Sequence, residues 1–457
     1  MKKSISYIYL AVIVLFATEC QDYLIEEPLS SLHKGELFSS TQNANIAVQG
    51  VYRDVSVPWG DQYPYVGNQQ NDICMHDEQW HSAYFTTWRG EYSSASDDPY
   101  WIWIQSYKAI ADANAVIANV PKITAKSELD EAYKKELIAE AKFLRAFTFF
   151  DLVRFYGPVP LYLYDANEFT EEFFKGRTSV AEILDTITRD LLWAYNYLPD
   201  FNNRVGGRTN KWAAATLLAK IYMARGGHFL DAITGQPDPD FANGNAAMAR
   251  PWLENAADIL LDIELNSGHG LASVSHKDAF LEYGKIFLNS SRYNGAVDRE
   301  IIYDIQYLGP ERLSYWGGYA INGGRKMFDG YFYPWSQVYV GLDFNMSFHD
   351  DDVRYKWDIA PYATYTGFRW QRGMWSWTKA KHRHESTDQS QNANVYRYAD
   401  ILLMLAEAVN ELAGGPSGTY SSATNGLTSR TPYDYINEVR ARAHVPLLDN
   451  PYLDARS

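Results

Sequence analysis

The sequence predicts a mainly α-helical protein of stacked helix pairs, with a long irregular region rich in aromatic residues packed on them. Apolar residues recur at helical spacing in seven segments, and glycine or proline follows most of these segments. Between residues 270 and 395 that spacing disappears, and glycine, asparagine, tyrosine and tryptophan become frequent. A chain of 457 residues is long enough to bury a large core in one domain.

The helical segments follow one another in a way that indicates pairing between neighbours. They are predicted at residues 100–120, 128–156, 179–198, 209–224, 252–265, 398–413 and 432–443. Ser179 is the predicted N-cap of the third segment, with Glu182 three residues later. Gly157 ends the second segment, and Ala214 is one of the small residues at predicted close contacts. Helices paired in this way predict a tetratricopeptide-like stack.

Two segments without helical periodicity interrupt this scaffold. They cover residues 55–98 and 270–395, and the scaffold itself covers 30–55, 100–265 and 396–445. One short β-strand is predicted within the second segment, at residues 301–305. Long irregular segments inside a compact domain are usually functional. We therefore expect the helices to bury their aromatic rings and the two irregular segments to expose theirs.

The N-terminus predicts export and a lipid anchor. Lys2 and Lys3 precede an uncharged apolar run at residues 7–17. This run is too short to span a bilayer, which needs about 20 residues, so it indicates a secretory signal. Cys20 follows small residues, as in bacterial lipoproteins, although Glu19 is unusual just before such a cleavage site. We expect a signal peptide at residues 1–19 and a single mature domain at 20–457 with lipid on Cys20; simple secretion is the alternative.

The composition excludes several classes of protein. Apolar residues make up 46% of the chain and charged residues 21%, which rules out a wholly disordered or collagen-like chain. With 41 basic and 56 acidic residues, the formal net charge is −15. An acidic surface repels phosphate backbones, so no nucleic-acid partner is expected. Two cysteines allow at most one disulfide.

Stretches spread from end to end carry a pattern whose order and spacing are specific. They are residues 20–24 with Pro28, 107–120 with Asn114, 140–146 with 157–161, 207–209 with 213–214, 397–408, and 436–443. Together they resemble the RagB/SusD family, which are nutrient-uptake lipoproteins of Bacteroidetes. The resemblance implies a SusD-like fold of tetratricopeptide-like helix pairs and a lipid anchor in the outer membrane, facing the cell exterior.

The resemblance also implies a function and a partner. Members of this family are non-catalytic, bind glycan or in some cases peptide, and cap a TonB-dependent transporter of the SusC type. We therefore expect a glycan ligand and a SusC-like partner. Family members usually continue well past the helix at 436–443, whereas this chain ends 14 residues after Ala443. We expect it to lack the usual C-terminal segment.

The two irregular segments supply the predicted ligand-binding residues. Aromatic rings can stack on the C–H face of a sugar, while polar side chains bind the surrounding hydroxyl groups. In the first segment these residues are Trp59, Asp72, Trp80, Tyr84 and Trp88. In the second they are Tyr315, Trp316, Tyr319, Asn322, Arg325 and Trp335. Packing of the irregular segments themselves is the alternative role for each ring.

Catalytic and metal-binding patterns are weak or absent, so no catalytic residue, cofactor or metal is predicted. The chain has no His-Glu-x-x-His, Gly-x-Ser-x-Gly or Gly-x-x-x-x-Gly-Lys sequence. His382 and His384 are interleaved with basic residues and indicate a solvated loop. A structural calcium site remains an alternative for the cluster of Asp238, Asp240, Asn243 and Asn245, although its spacing misses the EF-hand pattern.

Two other classes of function stay open. A glycoside hydrolase needs a pair of carboxylates defined by their separation in space, which a sequence with 56 acidic residues cannot exclude. A tetratricopeptide scaffold that binds peptides or supports other proteins is the third class. Exposed, concave aromatic surfaces would favour the glycan-binding class over this one.

Overall fold

Ten helices form the scaffold within the residues that the computed structural model describes. These residues are 34–60, 74–76, 97–165, 175–200, 207–228, 236–275, 279–287, 299–307, 338–340, 344, 346–355, 359–360, 375–377, 392–427 and 430–448. The helices are α1 (Lys34–Leu37), α2 (Thr41–Gly60), α3 (Asp97–Asn119), α4 (Glu128–Tyr156), α5 (Val180–Tyr197), α6 (Lys211–Gly226), α7 (Ala246–Asn266), α8 (Ala279–Lys285), α9 (Tyr398–Ala413) and α10 (Pro432–Arg442). The predicted mainly α-helical class is confirmed.

Neighbouring helices pack against one another in chain order. Helix α2 packs on α3, α3 on α4, α4 on α5, α5 on α6 and α6 on α7. Helix α9 then packs against α7 and α10. The stacking of successive pairs is the predicted tetratricopeptide-like arrangement, in which each helix buries its apolar face against the next.

Local capping interactions explain where several helices begin and end. The Ser179 side chain accepts a hydrogen bond from the backbone N–H of Glu182, so it is the N-cap of α5 as predicted. Thr431 and Asp434 form a complete capping box at the start of α10. Gly414 ends α9 with a φ of 74°, a conformation that glycine adopts without steric cost.

Two predicted boundaries are wrong. Helix α2 continues to Gly60 through Pro58, so the first irregular segment does not begin at residue 55. A proline near a helix end removes only one backbone hydrogen bond, so the helix can continue through Pro58. Val55 remains buried within this helix. Helix α7 starts at Ala246, six residues before the predicted start, because Asn245 caps it and Pro251 lies close to its first turn.

Helix α4 lies at the centre of the core. It packs against α2, α3 and α5, and its residues are buried on almost every side from Leu137 to Val153. Phe143 and Phe147 make edge-to-face contacts with Tyr303, and Phe147 makes another with Tyr396. A helix enclosed in this way carries buried charges as well as apolar residues, and each of those charges needs a partner.

Two groups of strands complete the described fold. Strand β2 (Ile301–Ile305) is the predicted one, and it pairs antiparallel with β6 (Ala393–Arg397). A four-stranded sheet has the order β1 (Cys74–His76), β3 (Val338–Val340), β5 (Trp375–Trp377) and β4 (Ile359–Ala360). A small hairpin joins β7 (Ser421–Ser422) to β8 (Gly426–Leu427).

The described parts of residues 270–395 are more regular than the sequence suggested. They contain α8 and four of the strands, including β5, in which Trp375 and Trp377 lie. Apart from β2, which was predicted, these strands have only two or three residues and α8 has seven, so they give little periodic signal and were not predicted. In the part of the chain that is described, no helix has the length and apolar character needed to cross a membrane.

Buried ion pairs join helices that are distant in sequence. Glu140, on α4, accepts two hydrogen bonds from Arg208 and one from the Tyr52 hydroxyl. Glu300, just before β2, is fully buried and accepts hydrogen bonds from Arg397 and Arg442. These contacts tie α2 to α4 and the strand pair to α10.

Candidate functional site

Most of the predicted ligand-binding residues lie outside the described part of the chain. These are Asp72, Trp80, Tyr84, Trp88, Tyr315, Trp316, Tyr319, Asn322, Arg325 and Trp335, and Cys20 also lies outside it. Their roles stay predictions. The exception is Trp59, at the end of α2, whose ring stacks on Phe147 at 5.4 Å between centroids and whose Nε1–H donates to Asp151 at 3.0 Å. These contacts give Trp59 a packing role; a contact with ligand stays a prediction.

The two aromatic segments meet through the four-stranded sheet. Strand β1 belongs to the first segment, and it pairs antiparallel with β3 from the second. Cys74 lies opposite Val340, more than 250 residues later in the chain. The backbones of the two segments are therefore adjacent, as a shared site would require.

A concave aromatic surface lies within the described residues, between α3 and the extended chain that follows α4. We call it the aromatic groove, and it has a volume of about 290 Å³. Its described lining consists of Trp103, Tyr107, Ile110, Ala111, Asn114, Pro160, Tyr162 and Tyr164. The volume is close to the lower end of the range for small-molecule sites, about 300–1,000 Å³.

The groove has two walls, one formed by α3 and the other by the extended chain that follows α4, and the sequence explains why they face each other. On α3, Trp103, Tyr107 and Asn114 occur at spacings of four and seven residues, so they share one face of the helix. After α4, Gly157 adopts a φ of 64° and turns the chain back along α3. In the extended stretch that follows, alternate residues point to the same side, which brings Tyr162 and Tyr164 into the groove.

Hydrogen bonds from α3 hold this extended chain in place. The Tyr107 hydroxyl donates to the carbonyl of Pro160 at 2.7 Å, and Asn114 Nδ2 donates to the carbonyl of Tyr162 at 3.0 Å. Asn119 Nδ2 donates to Asp165 Oδ2 at 2.8 Å. These three acceptors lie at successive positions of the extended chain. The wall that contains Tyr162 and Tyr164 is therefore fixed to α3 at three points.

The rings of the groove contact one another at steep angles. The Trp103 and Tyr107 centroids are 4.9 Å apart with planes tilted by 50°. Tyr107 and Tyr162 are 5.8 Å apart and nearly perpendicular, as are Tyr162 and Tyr164. Edge-to-face contacts of this kind stabilise aromatic clusters and present ring faces in several directions. A flat apolar ligand ring can therefore meet an aromatic face within the groove.

A buried ion network supports the groove from beneath. Asn114 Oδ1 accepts a hydrogen bond from Arg145 Nη1 at 2.7 Å. Arg145 also donates twice to Asp190, which in addition pairs with Lys142 at 2.5 Å. The chain of contacts runs from α5 through α4 and α3 to the backbone of Tyr162. The position of the aromatic wall therefore depends on charges in the core.

A carboxyl pair lies beside the groove on α2 and α3. Asp54 is buried and accepts from Arg53, while Lys108 Nζ is 2.5 Å from its other oxygen. Burial and the hydrogen bond and charge of Asp54 raise the pKa of Asp112 to about 7. The pKa of Asp54 is lowered, because hydrogen bonds from Asp112, Lys108 and Arg53 outweigh its burial. Of the two carboxyls, Asp112 therefore holds the shared proton, and it loses that proton as the pH rises through about 7.

A second depression has a different chemical character. It has a volume of about 340 Å³ at the N-terminal ends of α2 and α4, where Thr41 donates to Asp130. Its described lining is dominated by hydroxyl, amide and charged groups, and Tyr133 supplies its one described aromatic ring. Stacking on a sugar needs exposed ring faces, so the aromatic groove is the better candidate for that ligand class.

The four residues considered as a calcium site make hydrogen bonds that stabilise backbone turns and a helix end. Asp238 accepts from the N–H of Asp240, and Asn243 Nδ2 donates to the carbonyl of Asp238. Asn245 caps α7. Within the described ranges, no three or more His, Cys, Asp or Glu side chains lie close enough to hold a metal ion. Calcium binding stays an untested alternative, and His382 and His384 lie outside the described residues.

Sequence reasoning missed the aromatic groove because it expected the helices to bury their rings. That expectation is wrong for α3, where Tyr100 and Trp101 are 54% and 46% exposed. The signal was the dense aromatic start of this helix together with alternate tyrosines at 162 and 164. No local rule joins these two stretches, since about 50 residues separate them.

Comparisons with known proteins agree with this architecture. Residues 22–223 match the family described as "Starch-binding associating with outer membrane", and residues 299–454 match the SusD family. The chain belongs to the SusD/RagB family. It is 27% identical to SusD-like protein P2 of Formosa agariphila, over 95% of this chain and 80% of that protein.

Solved structures show the same fold. Surface glycan-binding protein A from Bacteroides fluxus superposes with a TM-score of 0.67 at 18% identity, covering 91% of this chain and 84% of that one. A protein solved with a xylogluco-oligosaccharide superposes with a TM-score of 0.65 at 21% identity, covering 88% and 76%. At these identities the likeness concerns the fold, and the ligand must be argued from this chain's own residues.

Proposed function

We propose that this protein is a non-catalytic surface lipoprotein that binds oligosaccharide or polysaccharide and delivers it to a SusC-like TonB-dependent transporter. The observation that carries the proposal is the aromatic groove, a concave surface of four aromatic side chains in a protein of the SusD family. One structural neighbour was solved with a xylogluco-oligosaccharide, and another is a surface glycan-binding protein. Both support a glycan ligand for this chain.

The groove suits a sugar for a simple physical reason. One face of a pyranose ring exposes C–H groups, and covering it with an aromatic face removes apolar area from water at about 25 cal/mol per Å². Tyr107 and Asn114 are already hydrogen-bonded to the scaffold, so the wall is set before ligand arrives. A preformed site loses less conformational entropy on binding than a flexible one.

The carboxyl pair beside the groove does not favour a glycosidase. Hydrolysis requires two carboxyl groups about 5–9.5 Å apart on opposite sides of the scissile bond. Asp54 and Asp112 instead share a hydrogen bond, and the Asp54 side chain is only 3% exposed. A sugar cannot enter between two groups in direct contact. Among the described residues, this pair therefore explains no hydrolytic step.

Family membership supports the proposed transporter partner, and the N-terminal sequence supports the proposed anchor. A lipid on Cys20 would hold the protein at the outer membrane, facing the exterior. The SusC-like partner is the counterpart that the family implies.

Affinity electrophoresis against soluble polysaccharides, followed by calorimetry with the best oligosaccharide, tests the function. We expect at least one glycan to retard the protein, with no new reducing ends after prolonged incubation. Release of reducing ends by pure protein would move the glycosidase class to first place. Failure of every glycan, neutral or anionic, to retard a folded protein would refute the proposed function.

The partner needs a separate measurement. Purification from native membranes in mild detergent should bring down one large β-barrel protein together with this chain. Repeated recovery of the chain alone, at good yield, would count against the transporter.

A further inference from the structure

The described lining of the aromatic groove contains no charged side chain. Its polar groups are an amide and the hydroxyls of tyrosines. The Asn114 amide donates to the Tyr162 carbonyl and accepts from Arg145, so it already serves the scaffold. Recognition in the groove therefore depends mainly on ring faces and on neutral hydrogen-bonding groups.

Three cations around the groove are already paired with carboxylates. Residues 97–119 and 157–165 contain four aspartates and a single basic residue, Lys108. Lys108 Nζ lies 2.5 Å from Asp54 Oδ2. Beneath the groove, Arg145 and Lys142 both pair with the buried Asp190. An anionic ligand gains little from cations that are committed elsewhere.

We propose that the aromatic groove binds a neutral saccharide through one or two sugar rings and excludes sulfated and uronic-acid glycans. This proposal rests on the proposed glycan-binding function and adds the ligand class. A sulfate or carboxylate entering here would lose its water without gaining a charged partner. The net charge of −15 adds repulsion at longer range.

Size supports binding of a short stretch of glycan. The volume of about 290 Å³ is small for an organic ligand site, so it accommodates a terminal or branching unit better than a long extended chain. Tyr162 and Tyr164 form one wall, and Trp103 and Tyr107 form the other. A sugar ring placed between these walls meets an aromatic face on at least one side.

The test compares neutral and anionic glycans on the full chain purified in mild detergent. The neutral set is xyloglucan, galactomannan and starch, and the anionic set is polygalacturonate, alginate and sulfated galactan. Carboxymethylation of the neutral glycan that binds best gives a matched ligand that differs in charge. We expect retardation by a neutral glycan, with loss of retardation after carboxymethylation. Affinity should change less than about threefold between low and high salt, because no ion pair forms.

Two tryptophans on α3 provide a matched pair of variants. Trp103→Ala removes a ring of the groove and should weaken neutral-glycan binding by about tenfold or more. Trp101→Ala removes a ring that is 46% exposed but does not line the groove, so binding should stay within about twofold. If Trp103→Ala does not fold, Tyr162→Ala is the second probe. It keeps the backbone carbonyl that Asn114 binds.

Each outcome bears on a different part of the inference. Salt-sensitive binding of anionic glycans alone would overturn the ligand class while leaving the glycan-binding function intact. Unchanged neutral-glycan binding in folded Trp103→Ala and Tyr162→Ala would place the site elsewhere. Loss of the transporter from these variants with unchanged glycan binding would make the groove a protein-docking surface and overturn the proposal. Absence of binding to either glycan set would refute the proposed function itself.

Discussion

Replacing Glu140 by glutamine should destabilise the protein strongly, although this residue lies far from solvent. Its side chain is about 1% exposed and accepts hydrogen bonds from Arg208 Nε at 2.7 Å, Arg208 Nη2 at 2.6 Å and the Tyr52 hydroxyl at 2.7 Å. Burial raises the pKa of Glu140, while Arg208 and Tyr52 lower it. The net pKa of Glu140 is raised, and its partners oppose part of the effect of burial.

The magnitude follows from what Glu140→Gln leaves behind. The amide keeps the shape but removes the charge opposite Arg208, whose side chain is only 18% exposed. Removing one partner of a buried ion pair costs about 3–5 kcal/mol, because the remaining charge stays desolvated. At about 2.1 cal/mol/K per residue, a chain of 457 residues has an unfolding entropy near 1 kcal/mol/K. The melting temperature should therefore fall by about 3–5 °C.

Differential scanning calorimetry of a double-mutant cycle measures this effect. Arg208→Met removes the other charge, and the double variant should lose less stability than the two single variants together, by about 1–3 kcal/mol. Glu254→Gln is the matched control, because Glu254 pairs with Arg250 at 2.9 Å with both side chains exposed, 41% and 57%. That change should cost less than about 1 kcal/mol. Equal losses from Glu140→Gln and Glu254→Gln would refute the reasoning.

Three further predictions concern pH, the anchor and the aromatic segments. Asp112 has its pKa raised from 3.8 to about 7, so the folded protein retains a proton that the unfolded chain releases. The free energy of unfolding should therefore fall as pH rises from about 4 to 7, and Asp112→Asn should remove that part of the fall in urea titrations. Cys20→Ala should move the protein from membrane to soluble fractions; continued membrane association would contradict the lipid anchor. Trp316→Ala and Trp80→Ala should each weaken glycan binding by about 5- to 150-fold with little change in circular dichroism, whereas a large drop in melting temperature would show a core ring.

Helices could be predicted from the sequence wherever their limits are set locally. The predicted bounds of α4 agree with the structure because Ser127 caps its start and Gly157 with Pro158 ends it. The start of α7 was missed because Pro251 resembles a boundary, although the preceding residues satisfy the helix with an Asn245 cap. A helix boundary was predicted correctly where the local capping residues agreed, and incorrectly where a capping residue and a proline indicated different positions.

The aromatic groove could not be predicted because its parts come together only through tertiary packing. Trp103 and Tyr107 look like ordinary buried helix residues, and Tyr162 and Tyr164 look like loop residues. The chain turns back along α3 after Gly157, and side chains of α3 donate hydrogen bonds to its carbonyls. These two features bring the four rings together. These contacts cross about 50 residues, and periodicity over one turn or one strand carries no information at that distance.

The stretches that carry the family resemblance turn out to contain the buried polar contacts of the scaffold. Glu140 and Arg208 pair with each other, Arg145 holds Asn114, and Arg442 binds the buried Glu300. Removing one member of such a pair leaves a buried charge without its partner, so these residues set the helix packing.

The rings that line the groove are not members of these buried polar pairs. Tyr162 is held to α3 through its backbone carbonyl, so a change of its side chain does not break that hydrogen bond. The buried pairs of this chain can therefore hold the helices in place while the rings of the groove vary. Membership in the family predicts this architecture well, and the choice of glycan depends on rings and loops that the family pattern does not specify.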